Sequence, residues 1–375
     1  MISGTFYIFT YGCQMNKNDS ELMAGILTEE CLLQQTDKAD QADYLIFNSC
    51  AVRENAETRV FGRIREFAGR RKKQKSSQKI ILAGCIPQYE KNNIFKKHPY
   101  IDYIVGVNSI EFLPQLLSSN TERISLSVNK DTNFVFKNIL RDSRKQAWIP
   151  IMFGCDNFCS YCIVPYTRGR EKSRKKEDIF KEIESLHSSK YTEIFLLGQN
   201  VNSYGKNLYM DYDFTDLLTD IHKYSHISKI DFLTSHPKDI SEKLIRIIAK
   251  SPKINKEIHF PLQAGDNEIL KKMNRGYSYE QYKNLVLLIK KIIPDVKIST
   301  DLIVGFPGET EKQFQNTVKA VQELGFYRVN TAAFSPRKGT KAAEMDKQID
   351  EKTRHTRLLL LQKAVDEYAF SKNTG

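Results

Sequence analysis

The chain has 375 residues, a formal charge of +12 from 57 Lys and Arg against 45 Asp and Glu, and 41% hydrophobic content. Such a length carries two domains with full cores, and the composition excludes a disordered or fibrous chain. The positive excess points to a polyanionic partner, usually nucleic acid, and no apolar run approaches the ~20 residues of a membrane span.

The start, Met1-Ile-Ser-Gly-Thr-Phe-Tyr, reads as a first strand without a basic leader, and seven unpaired cysteines in a long chain fit a cytoplasmic location. Three short apolar runs follow one another, and each ends in a cysteine. They are Phe6-Tyr-Ile-Phe-Thr-Tyr-Gly before Cys13, Tyr44-Leu-Ile-Phe-Asn-Ser before Cys50, and Lys79-Ile-Ile-Leu-Ala-Gly before Cys85. Their β-branched and aromatic content predicts buried strands. Helical stretches at 19–30, 55–73 and 88–98 separate them, so the pattern is a parallel sheet with helices on its faces. Ligands of such sheets bind beyond the carboxyl ends of the strands, where all three cysteines stand. Fe–S cubes are normally held by four thiolates, so three here would leave one iron open. Three small buried thiols are the alternative. Cys31, among apolar neighbours in a helical run, reads as an ordinary core thiol. The stretch Arg59 to Lys75 holds eight Arg and Lys against one Glu; it is either a solvated helix face or part of a polyanion surface.

A first domain over 1–120 is followed by a polar connector at 121–140, with one or two short strands, and a second domain over 141–375. The second domain opens on Gly154-Cys-Asp-Asn-Phe-Cys-Ser-Tyr-Cys162, a C-x3-C-x2-C array directly after an apolar run. No cysteine follows Cys162, so a cube held by Cys155, Cys159 and Cys162 again leaves one iron without a protein ligand. Structural zinc needs four ligands, and no His lies in or beside this loop. Strands are predicted at 148–153, 192–198, 229–233, 257–260, 296–303 and 327–334. Helices are predicted at 174–188, 214–224, 241–250, 267–273, 279–291 and 310–323. Six βα units suit an incomplete (β/α)6 barrel with its site at the carboxyl ends of the strands. Gln199 and Asn200, His236, Gln263 and Asp301 all fall at that edge. His236 is there either for substrate or for a structural hydrogen bond. Six Arg and Lys against one Glu lie between Arg168 and Lys176. In this stretch Tyr166 offers a stacking face, and Arg168, Arg170 and Arg174 can pair with phosphates. A flexible solvated loop is the alternative.

The cysteine loop, with Phe158 and Tyr161 inside it, resembles the signature of the radical S-adenosylmethionine (SAM) superfamily. Gly12-Cys-Gln-Met-Asn16 with Asp19-Ser20, Asn48-Ser-Cys-Ala-Val-Arg-Glu-Asn55 and Ala83-Gly-Cys85 resemble the first domain of its methylthiotransferase family, in the MiaB form. Ile163-Val-Pro-Tyr-Thr-Arg-Gly-Arg-Glu-Lys-Ser-Arg174 resembles the same branch. Leu197-Gly-Gln-Asn-Val201, Thr234-Ser-His-Pro237, Pro261-Leu-Gln-Ala-Gly265 and Ile303-Val-Gly-Phe-Pro-Gly-Glu309 match family motifs around SAM and substrate. Ser49, Ala264, Asp266 and Lys338 depart from the usual residues.

The resemblance implies an α/β chain with a parallel-sheet domain and a partial (β/α)6 radical SAM barrel, carrying two [4Fe–4S] clusters. Cys155, Cys159 and Cys162 would hold the cluster that cleaves SAM, and Cys13, Cys50 and Cys85 the auxiliary cluster. SAM would serve as radical source and methyl donor, contacted by Phe158, Tyr161, Gln199, Asn200, Gln263 and Asp301. Gln14, Asn16, Tyr166, Arg168, Arg170, Arg174 and His236 would face the substrate. That substrate would be the tRNA anticodon stem-loop, methylthiolated at C2 of N6-prenylated adenosine. C2 has no acidity for general-base chemistry, so the cofactors carry the reaction. A flavodoxin- or ferredoxin-like electron donor and a sulfur source are implied as partners. The family's C-terminal β-barrel module (TRAM) has no counterpart in the chain, which ends in a helix over 351–373. Two alternatives stand beside this reading. One is a sibling methylthiotransferase acting on threonylcarbamoyl-adenosine tRNA or a ribosomal protein. The other is a non-radical Fe–S electron-transfer or RNA-binding protein.

Overall fold

The computed structural model describes residues 4–51, 54–119, 121–126, 139–143, 145–233 and 235–373, without the side chains of 54–56 and 370–373. It divides into two compact units, 1–154 with 164–170, and 155–163 with 171–375. The main run of the first unit closes at Gly154, and the segment 164–170 groups with it.

The first unit runs β1 (Thr5–Thr10), α1 (Gln14–Glu29), β2 (Gln34–Gln35), β3 (Tyr44–Ser49), α2 (Glu54–Gln74), β4 (Lys79–Gly84), α3 (Cys85–Glu90), α4 (Asn93–Lys97) and β5 (Tyr103–Gly106). It continues with α5 (Leu113–Ser118), β6 (Ile124–Ser125), β7 (Gln146–Pro150), β8 (Met152–Phe153) and α6 (Val164–Thr167). Six strands form one parallel sheet in the order β2-β1-β3-β4-β5-β6. Phe6, Ile46, Ile81, Ala83 and Val105 on its strands pack with Met23, Leu27 and Cys31, so the α1 side of the sheet is one continuous core. Cys31 is a core thiol, as its apolar setting predicts. Burial raises it to about 11.

Two helices start differently from the sequence pattern. Helix α1 begins at Gln14, five residues early, because Asn16 accepts the Cys13 backbone N–H at 3.2 Å and closes the first turn. The expected helix at 88–98 is two helices, divided at Lys91, whose φ of +51° no helix can continue through. Of the expected connector strands, Ile124–Ser125 is formed; residues 127–138 lie outside the described residues.

The second unit runs β9 (Lys172–Ser173), α7 (Lys176–Ser188), β10 (Glu193–Leu197), α8 (Phe214–His222), β11 (Lys229–Phe232), α9 (Glu242–Lys250), β12 (Glu257–His259), α10 (Asn267–Lys272) and α11 (Tyr279–Ile292). It ends with β13 (Lys297–Val304), α12 (Glu311–Leu324), β14 (Arg328–Ala333) and α13 (Glu351–Asn373). Helix starts are written into the sequence as capping boxes at Asp213/Asp216, Ser278/Gln281 and Thr310/Gln313. Strands β10 and β11 pair in parallel, as do β12, β13 and β14. The alternation expected of a (β/α)6 unit is present, while among the described residues the strands close no ring. Helix α13 is tied down by Arg357, whose buried guanidinium donates to the Glu309 carboxylate at 2.9 Å.

Candidate metal centres

In the first unit, Cys13, Cys50 and Cys85 follow β1, β3 and β4, three adjacent strands of one sheet. Register sets them level, because Thr10 pairs with Asn48 and Ser49 with Gly84. The edge is braced by amides. Asn16, fully buried, donates from Nδ2 to Asn48 Oδ1 at 3.3 Å and to the Ser49 carbonyl at 3.2 Å. Asn48 donates back to the Asn16 carbonyl at 2.7 Å and to Ser20 Oγ at 2.9 Å. Two glycines let the turns approach. Gly12 takes φ +131°, and a Cβ there would stand 2.6 Å from the Cys50 Cβ. Gly84 takes φ +97°, and a Cβ there would stand 2.5 Å from the Ser49 carbonyl oxygen. Asn16 is thus a brace between two cysteine loops and has no hydrogen-bonding capacity left for a substrate. Gln14 beside it is half-buried.

Arg168 enters this unit from the segment 164–170. It is buried and paired to Asp19 at 2.6 Å, so it presents no guanidinium to a phosphate outside. Burial raises the Asp19 pKa, and the guanidinium works in the opposite direction. The Arg168 guanidinium lies beside the Cys85 thiol and within electrostatic reach of Cys13. Tyr166, 47% exposed, and Arg170 are at the surface.

In the second unit, the Cys155–Cys162 loop is pinned by residues just after α10. Asn274 donates from Nδ2 to the carbonyls of Asn157 and Phe158, both at 3.1 Å. Ser160 Oγ donates to the Lys272 carbonyl at 2.7 Å, and the Ser160 backbone N–H to the Met273 carbonyl at 3.0 Å. Phe158 takes φ +46°, which turns the loop so that Cys159 and Cys162 follow in one bend, Cys162 N–H donating to the Cys159 carbonyl at 2.9 Å. Arg275 is the residue that sequence spacing did not single out. Its buried guanidinium donates to Cys159 Sγ at 3.2 Å, the Tyr161 hydroxyl at 3.3 Å, the Tyr277 hydroxyl at 2.8 Å and the Pro261 carbonyl at 3.1 Å. The only signal that could have found it is the Asn-Arg-Gly run at 274–276 directly after α10.

The strand-end residues divide. Asn200 is committed internally: its Nδ2 donates to Asp239 Oδ2 at 2.7 Å and its Oδ1 accepts the His236 backbone N–H at 3.1 Å. Asp301 accepts from Asn330 Nδ2 at 2.9 Å and lies 3.1 Å from His259 Nε2. Gln199 Oε1, His236 Nε2 and Gln263 Oε1 are each buried without a hydrogen-bond partner. Three unmet polar atoms at the ends of consecutive strand positions are what a polar cofactor or substrate would satisfy. His236 is held neutral, its pKa lowered to about 2 by burial and then by Arg275, Lys238 and Lys206. Thr234 of the same motif lies outside the described residues. Arg174 is buried and ion-paired with Glu182, so like Arg168 it is not an external phosphate ligand.

The donor sets fit the clusters expected of them. Burial raises Cys85, and raises Cys155 to about 11, so each is a neutral thiol until a metal takes the proton's place. Each set has a buried guanidinium at one sulfur, a donor suited to a thiolate and poorly matched by a thiol. Among the described residues no three His, Cys, Asp or Glu form a group for a single metal ion; a cube requires another spacing, one thiolate per iron.

Residues 149–321 match the family model of the radical SAM superfamily, and residues 5–106 that of the uncharacterized protein family UPF0004. A tRNA-2-methylthio-N(6)-dimethylallyladenosine synthase of Dictyoglomus thermophilum is 46% identical over 93% of this chain and 80% of its own length. Synthases of the same name from Thermoanaerobacter pseudethanolicus and Clostridium botulinum are 46% and 43% identical, over 98% and 99% of this chain and 79% and 84% of their own lengths. Among solved structures, the radical SAM methyltransferase TsrM of Kitasatospora setae, with cobalamin and a [4Fe–4S] cluster, matches with a TM-score of 0.64 at 15% identity. It covers 90% of this chain and 76% of its own. The cobalamin-dependent radical SAM enzyme OxsB matches at 0.57 and 12% identity, covering 96% of this chain and 56% of its own. At such identities these two speak for the fold alone.

Proposed function

The chain belongs to the tRNA-2-methylthio-N(6)-dimethylallyladenosine synthase family of the radical SAM superfamily, and from that premise we propose how its residues divide the reaction. It is a transferase that modifies tRNA and works with two [4Fe–4S] clusters and SAM. We assign Cys155, Cys159 and Cys162 to one cluster and Cys13, Cys50 and Cys85 to the other. When bound, these groups supply what side chains cannot: hydrogen abstraction at an unactivated C–H carbon, and the sulfur and methyl group that replace the hydrogen. The observation that carries the reading is the disposition of six of the seven cysteines, three at level strand ends and three in one loop, each set with a buried arginine.

The chain's own residues hold and orient. Asn16 and Asn48 fix the Cys13 and Cys50 turns against each other. Arg275 binds Cys159 to the end of β12 through the Pro261 carbonyl. Gln199 Oε1 and Gln263 Oε1 accept from SAM or the nucleoside; His236, neutral and with Nδ1 accepting the Lys238 backbone N–H at 3.3 Å, carries its proton on Nε2 and donates there to an acceptor of either ligand. Tyr166 stacks with an unpaired base and Arg170 pairs with backbone phosphate, since the target adenine must leave its loop stack to be reached. A flavodoxin- or ferredoxin-like donor supplies electrons, a separate source supplies sulfur, and the location is cytoplasmic. No helix among the described residues is long and apolar enough to cross a membrane.

The test is conversion of an anticodon stem-loop carrying N6-isopentenyladenosine to its 2-methylthio form, under anaerobic reducing conditions with SAM and sulfide. A stem-loop carrying N6-threonylcarbamoyladenosine is the control. Methylthiolation of the first alone is expected; reaction of the second alone would move the chain to the sibling branch. Replacing Cys155, Cys159 and Cys162 by Ala should abolish SAM cleavage and leave about four of about eight irons.

A further inference from the structure

Arg168 stands in a stretch where Tyr166 and Arg170 face solvent, yet its own side chain is 5% exposed. Its partner Asp19 lies 149 positions away on α1 and is 3% exposed, their contact 2.6 Å from Nη2 to Oδ2. A buried pair of this kind is costly to assemble and gives little net stability over an apolar pair of the same volume. Two further facts give it a purpose. Nη1 of the same guanidinium is buried with no acceptor. The group also lies beside the Cys85 thiol and within reach of Cys13, at the edge where β1 and β4 end. A neutral thiol is a weak acceptor, whereas a metal-bound thiolate is a strong one.

We propose that the Asp19–Arg168 pair sets the reduction potential of the cluster held by Cys13, Cys50 and Cys85, with Arg168 donating from Nη1 to the Cys85 thiolate and Asp19 fixing and tempering its charge. This rests on the assignment of those three cysteines to a cluster. Hydrogen bonds to cluster sulfurs and local charge are among the levers that set such potentials. Reduction adds one electron, supplied by the external donor, and a permanent cation beside the sulfur stabilises the added negative charge. Arg168 therefore raises the potential, and Asp19 lowers it by offsetting part of the cation's field.

The two halves of the pair predict shifts of opposite sign, which a packing role does not. The full-length chain with Cys155, Cys159 and Cys162 replaced by Ala isolates this one cluster for an EPR-monitored redox titration. In that background Arg168→Gln is expected to move the midpoint to lower potential and Asp19→Asn to higher potential. Arg168→Lys, which keeps the charge, is expected to stay nearer the parent than Arg168→Gln. If Arg168→Gln does not hold the cluster, Asp19→Asn alone decides: an upward shift supports the proposal and no shift, or a downward one, overturns it. Shifts of the same sign in both variants, or none in either, also overturn it. A background chain that binds no iron while Cys13, Cys50 and Cys85 are intact would instead remove the cluster assignment itself.

Discussion

Replacing Asn16 by Ala separates a brace from a substrate contact. The side chain is fully buried, and Ala would leave three groups without their partner: the Cys13 N–H, Asn48 Oδ1 and the Ser49 carbonyl. A buried polar group left unsatisfied costs about 1–3 kcal/mol, and water entering at the exposed Cys13 relieves some of that. Two groups left unmet give a local penalty of about 2–6 kcal/mol on the arrangement that sets Cys13 beside Cys50. That is a roughly 30- to 20,000-fold fall in its population. The assay is anaerobic iron and sulfide analysis of Asn16→Ala, with SAM cleavage and RNA affinity measured on the same preparation. Iron should fall from about eight to about four per chain, with SAM cleavage and RNA affinity retained. A variant with full iron and weakened RNA binding would refute the brace, and Asn16 would be the nucleotide contact its motif implies.

Arg275→Met should release Cys159 and reduce both iron in the C-x3-C-x2-C loop and SAM cleavage by at least tenfold, with Arg275→Lys intermediate, because only the guanidinium fork reaches Cys159, Tyr161, Tyr277 and Pro261 together. Gly84→Ala forces a Cβ to 2.5 Å from the Ser49 carbonyl at φ +97°. A cost above about 2 kcal/mol in urea unfolding, with loss of the first-unit cluster, is expected. His236 has its pKa lowered to about 2 while an unfolded His titrates near 6.5, so below that pH the unfolded state binds the extra proton and stability falls as pH drops. The contribution is fully present above about pH 6.5 and declines by up to about 1.4 kcal/mol per pH unit beneath it; urea midpoints of wild type and His236→Asn should converge in acid. Arg170→Ala should weaken stem-loop binding and lower the salt slope by about one, while Arg174→Ala should lower the melting temperature, because the buried Glu182 carboxylate loses this ion pair.

Local information determined much of this protein. Strand ends, helix spans and the two cysteine sets follow from apolar runs, capping residues and spacing, each readable within a dozen positions, and the strands and helices of 193–333 stand where periodicity places them. Short-range reading failed where an element's limit depends on an unusual partner, as when Asn16 rather than a standard cap closes the start of α1. Only the tertiary structure decided which arginines face outward. Arg168, Arg170 and Arg174 are alike in sequence, but burial of a charge requires a counter-charge at a place fixed by the fold. Asp19, 149 positions from Arg168, and Glu182, on the next helix after Arg174, provide it. Arg275 reaches Cys159 across 116 positions, and no period or spacing encodes such a meeting. Periodicity is a property of neighbours, whereas pairing of buried charge is a property of where distant segments come to rest.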